Sequence, residues 1–250
     1  MEPETVQVLN RLETEAPALS RELRRLLVAF LEASDATASL GDAPREAEVN
    51  RYLEARATIL DAAHGLAQAS TTASMEGFPF VGIGGVLALD LSGEATTYTR
   101  DYILAVDLGG DDRYVNNAGG SSWNTLSDRP CRHWEEVTWR ASALVDLRGN
   151  DTYGDPKHPR LCGVNGGAAK GTGILIDLAG NDLYHGSIMG VNGGAWVGMG
   201  FLYDAAGNDL YSAGSNGVNG GADGNLAGVY LGFARGELLD LSGNDTYRGY

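Results

Sequence analysis

The segment Ile174-Leu-Ile-Asp-Leu-Ala-Gly-Asn-Asp-Leu-Tyr184 decides the fold, because it is one complete copy of a motif that recurs along the chain. A short apolar run leads into Asp-(Leu or Ala)-x-Gly-Asn-Asp-x-Tyr, in which x varies between copies. The copies begin at Asp146, Asp177, Asp204 and Asp240, with a variant at Asp107 and a shortened form at Asp90. Such recurrence is typical of a repeat architecture.

A second motif, Gly-Val-Asn-Gly-Gly-Ala, has the same period. Its copies begin at Gly163, Gly190 and Gly217, 27 residues apart, and the copies of the first motif at Asp177 and Asp204 have the same spacing. Longer intervals of 31, 36 and 39 residues between the other copies predict inserted loops. The apolar runs have strand length and Gly-Asn-Asp is turn-forming, so we predict a mainly β fold, a Gly-rich parallel β-helix or solenoid. A β-propeller competes, but its blades need about forty residues.

Residues 1–72 have a helical pattern instead. Apolar residues recur three and four positions apart, at Leu19, Leu23, Leu26, Leu27, Phe30 and Leu31. Pro17 separates a first helix, Glu4–Thr14, from this one, and Asp42 with Pro44 predicts a later helix start. Nearly all of the 36 glycines come after this region. We therefore predict an α-helical cap or bundle over 1–72 and the solenoid over 76–250.

Charge and hydropathy exclude two partner classes. The chain has 33 acidic and 18 basic residues, a formal net charge of −15, which argues against a nucleic-acid partner. No apolar run approaches the length of a membrane span, and Met1–Thr14 lacks the features of a signal peptide. We expect an extracellular or cell-surface protein, with a cytoplasmic location as the alternative.

The turn resembles the calcium-binding nonapeptide repeat of RTX proteins, GGxGxDxUx. Gly180, Asp182 and Tyr184 match that family's fourth-position Gly, its Asp and its large apolar position. Asp-Leu or Asp-Ala replaces the first two glycines of that repeat. The matching positions in the other copies are Gly149, Asp151 and Tyr153, Gly207, Asp209 and Tyr211, and Gly243, Asp245 and Tyr247. The RTX resemblance implies calcium. The units also resemble uncharacterised bacterial proteins with DLGGDDRY-type repeats, which implies a fold.

Physical chemistry leads to the same cation independently. In stacked parallel coils, equivalent residues such as Asp177 and Asp204 lie about 4.8 Å apart, so their carboxylates form like-charged columns. Amides, arginines or a hard cation such as calcium would relieve the repulsion. The candidate metal ligands are Asp146, Asp151, Asp177, Asp182, Asp204, Asp209, Asp240 and Asp245. The alternative is that these residues only cap local turns.

Two further columns follow from the repeats. The asparagines of the second motif form an amide ladder or, alternatively, bind a ligand; they are Asn165, Asn192 and Asn219. The tyrosines that end the first motif should stack as a structural column; they are Tyr153, Tyr184, Tyr211 and Tyr247.

Catalytic chemistry, if present, belongs to the inserted loops, which lie beside a rigid scaffold. The candidates are Asp128, His133, Glu135 and His158. Cys131 and Cys162 form either a disulfide or a reduced pair.

Our leading hypothesis is a non-enzymatic structural or surface repeat protein. The alternative is a polysaccharide-active β-helix enzyme, a lyase or hydrolase that uses loop residues 121–160, with a glycan as partner.

The last copy of the motif predicts self-association. Asp240–Tyr247 would form a terminal coil that exposes apolar surface and unpaired strand groups. We expect either that the natural chain continues beyond this coil or that the coil pairs with a second copy, most simply about a two-fold axis.

Overall fold

The computed structural model describes residues 3–40, 45–73, 75, 77–121, 140–155, 162–187, 190–213, 225–226, 229–230 and 233–249. The N-terminal part is helical, with α1 at Pro3–Glu15, α2 at Pro17–Leu40 and α3 at Glu46–Ser70. Pro17 is the first residue of α2, where a missing N–H costs no helical hydrogen bond. The Arg45 N–H donates to Glu48 Oε2 at 2.9 Å and so begins α3. The expected helix start at Asp42 and Pro44 lies outside the described residues.

Two parallel sheets follow the helices. Sheet I has the strand order β1-β2-β4-β6-β8-β10-β14, and sheet II has the order β15-β11-β9-β7-β5-β3. The strands are β1 (Val81–Ile83), β2 (Leu87–Asp90), β3 (Thr97–Tyr98), β4 (Leu104–Asp107), β5 (Arg113–Tyr114), β6 (Arg140–Asp146), β7 (Thr152–Tyr153), β8 (Gly171–Asp177), β9 (Leu183–His185), β10 (Gly198–Asp204), β11 (Leu210–Ala213), β12 (Asn225–Leu226), β13 (Val229–Tyr230), β14 (Ala234–Asp240) and β15 (Thr246–Gly249). Only two pairings between these described strands are antiparallel, β1 with β2 and β12 with β13.

From β2 onward the chain passes from sheet I to sheet II through the aspartate turn, and each passage adds one strand to each sheet. We call a sheet I strand, its turn and the following sheet II strand a unit. Asp177 is in register with Asp204 and with Asp146, as expected from the repeat. The same register spans the 39-residue interval from Asp107 to Asp146. Insertions of different length therefore leave the register unchanged.

The central strands β4, β6, β8 and β10 of sheet I are buried on both faces, which explains their continuous apolar sequence. Alternate side chains of each strand point to opposite faces. Ile174 and Ile176 pack in one core cluster with helix residues such as Leu26 and Ile59. Leu175, between them, packs in a second cluster with the tyrosines of sheet II. The sheet therefore lies between the helices and the tyrosines.

The predicted fold class needs one correction. The chain is mixed α/β rather than mainly β, because its three long described helices contain about as many residues as its short strands. The helices also lie along the face of sheet I instead of closing one end of it. Thr37 Oγ1 donates to Thr172 Oγ1 at 2.7 Å, and the Arg56 guanidinium pairs with Glu237 at 2.7 Å, so α2 and α3 are fixed to β8 and β14.

Candidate functional site

The repeated turn is shaped by its glycine. A Cβ placed on Gly180 would lie 2.0 Å from the carbonyl oxygen of Gly149 and 2.4 Å from Asp182 Oδ2. Gly207 would meet Gly180 O at 2.0 Å in the same way. The glycine therefore lets adjacent turns approach one another and leaves room for the second carboxylate of the motif.

The first aspartates of successive motifs are the last residues of the sheet I strands and form a column that is buried except at Asp240. We call the residues Asp90, Asp107, Asp146, Asp177, Asp204 and Asp240 the first-aspartate column. The Oδ1 atom of Asp177 accepts the N–H of Ala179 at 3.1 Å, and Oδ1 of Asp146 accepts the N–H of Arg148 at 3.3 Å. These are local turn bonds of the kind that Asp commonly makes.

The Oδ2 atoms of the same column contact tyrosine hydroxyls. Tyr184 Oη lies 2.9 Å from Asp177 Oδ2 and 2.8 Å from Asp204 Oδ2, so one hydroxyl bridges two units. Tyr153 Oη bridges Asp146 and Asp177 at 3.0 and 2.7 Å. Both carboxylate oxygens of Asp146 and Asp177 therefore already take part in hydrogen bonds.

Burial in this column favours neutral carboxylic acids. The pKa of Asp177 is raised to about 6 and that of Asp107 to about 7, in both cases mainly because burial penalises the charged form. Burial also raises the pKa of Asp146 well above its usual range, and the neighbouring Asp107 and Asp177 add to the shift. The pKa of Asp204 is raised by burial as well.

The second aspartates of the motif form a different column. We call the residues Asp112, Asp151, Asp182, Asp209 and Asp245 the second-aspartate column. The backbone N–H of Asp151 donates to Asp182 Oδ1 at 2.6 Å, and that of Asp182 donates to Asp209 Oδ1 at 2.7 Å. Each carboxylate thus accepts a hydrogen bond from the turn of the preceding unit.

The other oxygen of this column has no described partner. Asp112, Asp151, Asp182 and Asp209 are each at most 3 % exposed, and their Oδ2 atoms are buried without a hydrogen bond. Burial raises the pKa of Asp151 to about 8, of Asp182 to about 10 and of Asp209 to about 7. An unpartnered buried carboxylate is costly unless a proton or a cation neutralises it.

The two columns together make four groups that could hold a metal ion. In each group, three carboxylates place one oxygen each within 4.8 Å of the others. The groups are Asp107–Asp112–Asp146, Asp151–Asp177–Asp182, Asp182–Asp204–Asp209 and Asp209–Asp240–Asp245. Calcium takes six to eight oxygen ligands. In these groups the uncommitted oxygens come mainly from the second-aspartate column, so that column is where a cation would find ligands.

The remaining repeated side chains form structural ladders. The tyrosine rings of sheet II stack with centroids 4.5 to 4.9 Å apart and interplanar angles of 3 to 8°, which confirms the predicted column and extends it. The column consists of Tyr98, Tyr114, Tyr153, Tyr184, Tyr211 and Tyr247. The position of Tyr114 was detectable from the sequence, because it ends the variant copy at Asp107. Tyr98 lies eight residues after Asp90 instead of seven, so the motif did not indicate it.

Two asparagine ladders run beside these columns. In the second motif, Asn165 Nδ2 donates to Asn192 Oδ1 at 2.9 Å, as the amide-ladder hypothesis predicts, and Asn219 lies outside the described residues. At the exposed tip of the first motif, Asn208 Nδ2 donates to Asn181 Oδ1 at 2.9 Å, and Asn181 Nδ2 donates to Asn150 Oδ1 at the same distance. This exposed ladder was not predicted from the sequence.

The loop candidates Asp128, His133, Glu135 and His158 lie outside the described residues, as does Cys131. Cys162 is buried and disulfide-bonded.

One described cavity, of about 270 Å³, lies between the end of α3 and the turns; its polar lining includes Ser70, Ser92 and Arg148 and no acid or histidine. That cavity offers no group for acid–base catalysis. In the part of the chain that the structure describes, no helix is both long and apolar enough to cross a membrane.

Comparisons with protein-family models, with curated proteins and with solved structures found no match. The function must therefore be argued from the columns themselves.

Proposed function

We propose that this protein is a non-enzymatic structural repeat protein, a β-solenoid located outside the cell or at its surface. The observation that carries the proposal is the use of the repeated polar side chains. Tyr184 binds across two units, Asp182 binds the turn before its own, and Asn181 binds its neighbours on both sides. Catalytic carboxylates, in contrast, must face a substrate.

The experiment for the non-enzymatic part is a turnover assay against anionic and neutral glycans, because a polysaccharide-active enzyme is the rival function. We expect no turnover by the wild type. Lyase or hydrolase activity that is lost in Glu135→Gln or His133→Ala, while the thermal unfolding temperature stays unchanged, would establish the enzyme instead.

Calcium binding at the turns is the second candidate, favoured by the buried Oδ2 atoms without partners. The residues that would hold the cation are Asp151, Asp182 and Asp209, whose Oδ2 atoms make no described hydrogen bond. Calcium would neutralise these carboxylates and stabilise the folded chain by mass action.

A calcium titration followed by thermal melting tests this candidate. The unfolding temperature of the wild type should rise with calcium concentration, and Asp182→Asn should reduce the rise. Glu54→Gln, which removes the same charge from the exposed surface of α3, should leave the rise intact. Unfolding temperatures that are equal in calcium and in a chelator would rule calcium out.

Self-association is proposed through the outermost strands of the two sheets. In β14, Leu239 is 43 % exposed, and beyond it Leu241 is 60 % and Tyr247 is 52 % exposed. We expect dimers or larger species in light scattering, and Leu241→Lys should shift them to monomers. Leu31→Lys, at an exposed apolar position of α2, should not.

The proposed location rests on Cys162, because disulfides persist mainly in oxidising compartments. Labelling of intact cells with a membrane-impermeant amine reagent would test it. Labelling only after lysis would place the protein inside.

A further inference from the structure

The tyrosine hydroxyls and the first-aspartate column form one continuous row of oxygens. From Asp90 to Tyr211, carboxylate Oδ2 and hydroxyl Oη atoms alternate, and nine contacts join them. Apart from the contact between Tyr98 and Asp107, the oxygens are 2.7 to 3.1 Å apart. These are hydrogen-bond distances for O–H···O.

A hydrogen count shows that tyrosine alone cannot make these bonds. Nine hydrogen bonds need nine protons, and the five tyrosines in the row supply one each. A hydroxyl between two ionised carboxylates could donate to one and would face the other without a proton between them. The four remaining protons must come from carboxyl groups.

The Asp90 end sets the direction of the row. Asp90 Oδ1 accepts the N–H and the hydroxyl of Ser92 at 3.0 and 2.7 Å, and Oδ2 accepts the hydroxyl of Thr96 at 2.8 Å. With Tyr98 as a further donor, Asp90 has the partners of an ionised carboxylate. Every bond in the row then points toward Asp90. Each of the five tyrosines donates its own proton, and each except Tyr211 accepts one.

We propose that the row is a one-directional hydrogen-bond chain in which Asp107, Asp146, Asp177 and Asp204 are carboxylic acids and Asp90 is the anionic end. Removal of one proton from an acid of this chain would leave two buried oxygens in contact without a hydrogen between them. The inference does not depend on the proposed non-enzymatic function. Each candidate cation group also contains a first-column aspartate, so the proposal describes the calcium-free protein.

Among the described residues, the charged groups that act most strongly on the chain are acidic. The charged groups that act on Asp146 are Asp107, Asp151 and Asp177, and those that act on Asp204 include Asp240. The second-aspartate column faces the chain along its length. All of these groups are acidic, so the ionisation of one carboxyl group would raise the free energy needed to ionise the next.

Infrared spectroscopy of the protein in a chelator tests the proposal, because a carboxylic acid has a carbonyl stretching band that a carboxylate lacks. The folded wild type should show this band at about pH 6, where exposed carboxyl groups are already ionised. In Asp177→Asn, the amide oxygen keeps the hydrogen bond from the Ala179 N–H, so the Nδ2 group faces both tyrosines, where it can donate but cannot accept. Tyr184 must then donate to Asp204, which loses its own proton. Asp204→Asn removes only its own proton.

The decisive comparison is between these two variants. Asp177→Asn should lose twice as much of the acid band as Asp204→Asn, and Tyr247→Phe, outside the run from Asp90 to Tyr211, should lose none. Absence of the acid band from the folded wild type would overturn the proposal, and so would equal losses in the two Asn variants. If Asp177→Asn does not fold, Asp146→Asn replaces it with the same expected loss. A lack of calcium binding would leave all of these results unchanged.

Discussion

The two aspartate columns differ in the hydrogen-bond partners of their carboxylate Oδ2 atoms. Asp177 and Asp182 belong to the same turn, and both are almost completely buried. The Oδ2 atom of Asp177 contacts two tyrosine hydroxyls, whereas the Oδ2 atom of Asp182 makes no described hydrogen bond. Burial raises the pKa of both residues, to about 6 for Asp177 and about 10 for Asp182. Hydrogen bonds from Tyr153 and Tyr184 account for part of the smaller shift, because they stabilise the charged form of Asp177.

The two columns show two arrangements that allow a carboxyl group to be buried in a protein. In the first column, hydroxyl groups share the protons and link the units. In the second column, one oxygen bonds the backbone and the other requires a proton or a cation. The same residue type at the same depth therefore has a structural role in one column and is open to ligand binding in the other.

The change with the largest expected effect damages both columns. In Gly180→Ala the new Cβ would meet Gly149 O at 2.0 Å and Asp182 Oδ2 at 2.4 Å, so the stacked turns must separate. We expect a loss of about 3 kcal/mol or more in the free energy of unfolding, measured by denaturant titration. Gly249→Ala is the matched control, because nothing lies within 4 Å of its Cβ position. Equal stability of the two variants would contradict the close packing of the turns.

The pH dependence of stability reports directly on the first-aspartate column. Asp177 and Asp107 have folded-state pKa values raised to about 6 and about 7, above the value of about 3.9 for an unfolded Asp. Between about pH 4 and pH 7 the folded chain therefore binds more protons than the unfolded chain. The contribution of these groups to stability is complete below about pH 4 and is lost as the pH rises.

Thermal melting in a chelator, at a series of pH values from 5 to 8, measures this effect. The unfolding temperature should fall as the pH rises. If the second-aspartate column binds calcium, saturating calcium should make the unfolding temperature rise with pH, since protons would then compete with the cation. An unfolding temperature that rises with pH in the chelator would show that the buried aspartates are ionised.

Much of the fold follows from the sequence, because the period of the two motifs determines the register. The 27-residue spacing places Asp177 beside Asp204, and the longer intervals appear as insertions that do not disturb the pairing. The tyrosine column follows from the same spacing. The position of the helices does not, because an amphipathic pattern shows that Leu26 is buried but not which surface covers it. The mainly β class was wrong for a related reason, since the strands are short and the helices long.

The different roles of the two aspartate columns were not predictable from the sequence. Asp177 and Asp182 occupy equally regular positions in the motif, and both appear as candidate metal ligands. Only the structure shows that the hydroxyl of Tyr184, seven residues after Asp177, reaches back to it and forward to Asp204. A separation of seven residues across a turn gives no pattern of hydropathy or charge from which this contact could be inferred.

Removal of one tyrosine hydroxyl sharpens the comparison further. Tyr184→Phe keeps the ring stack, whose neighbours lie 4.7 and 4.8 Å away, but removes the bridge between Asp177 and Asp204. We expect a loss of about 2 kcal/mol in the free energy of unfolding, because two buried carboxyl groups lose a partner. Tyr247→Phe, in which the exposed hydroxyl contacts Asp240 alone, should cost less than about 1 kcal/mol. Similar losses in the two variants would mean that burial of the bridge contributes little.

The smallest effect is expected at the exposed tip of the turn, where a ladder with the same spacing has no buried charge. Asn208 accepts from the backbone N–H and the side chain of Asn244 and donates to Asn181, but these atoms are open to water. Water can replace the lost bonds, so Asn208→Ala should cost about 0.5 kcal/mol in denaturant titration, at the lower end for a hydrogen bond. The cost should not change between pH 5 and pH 8, since no group in this ladder titrates there. A loss as large as that of Tyr184→Phe would show that stacking of the units, and not burial of the carboxyl groups, is the main source of stability in the turns.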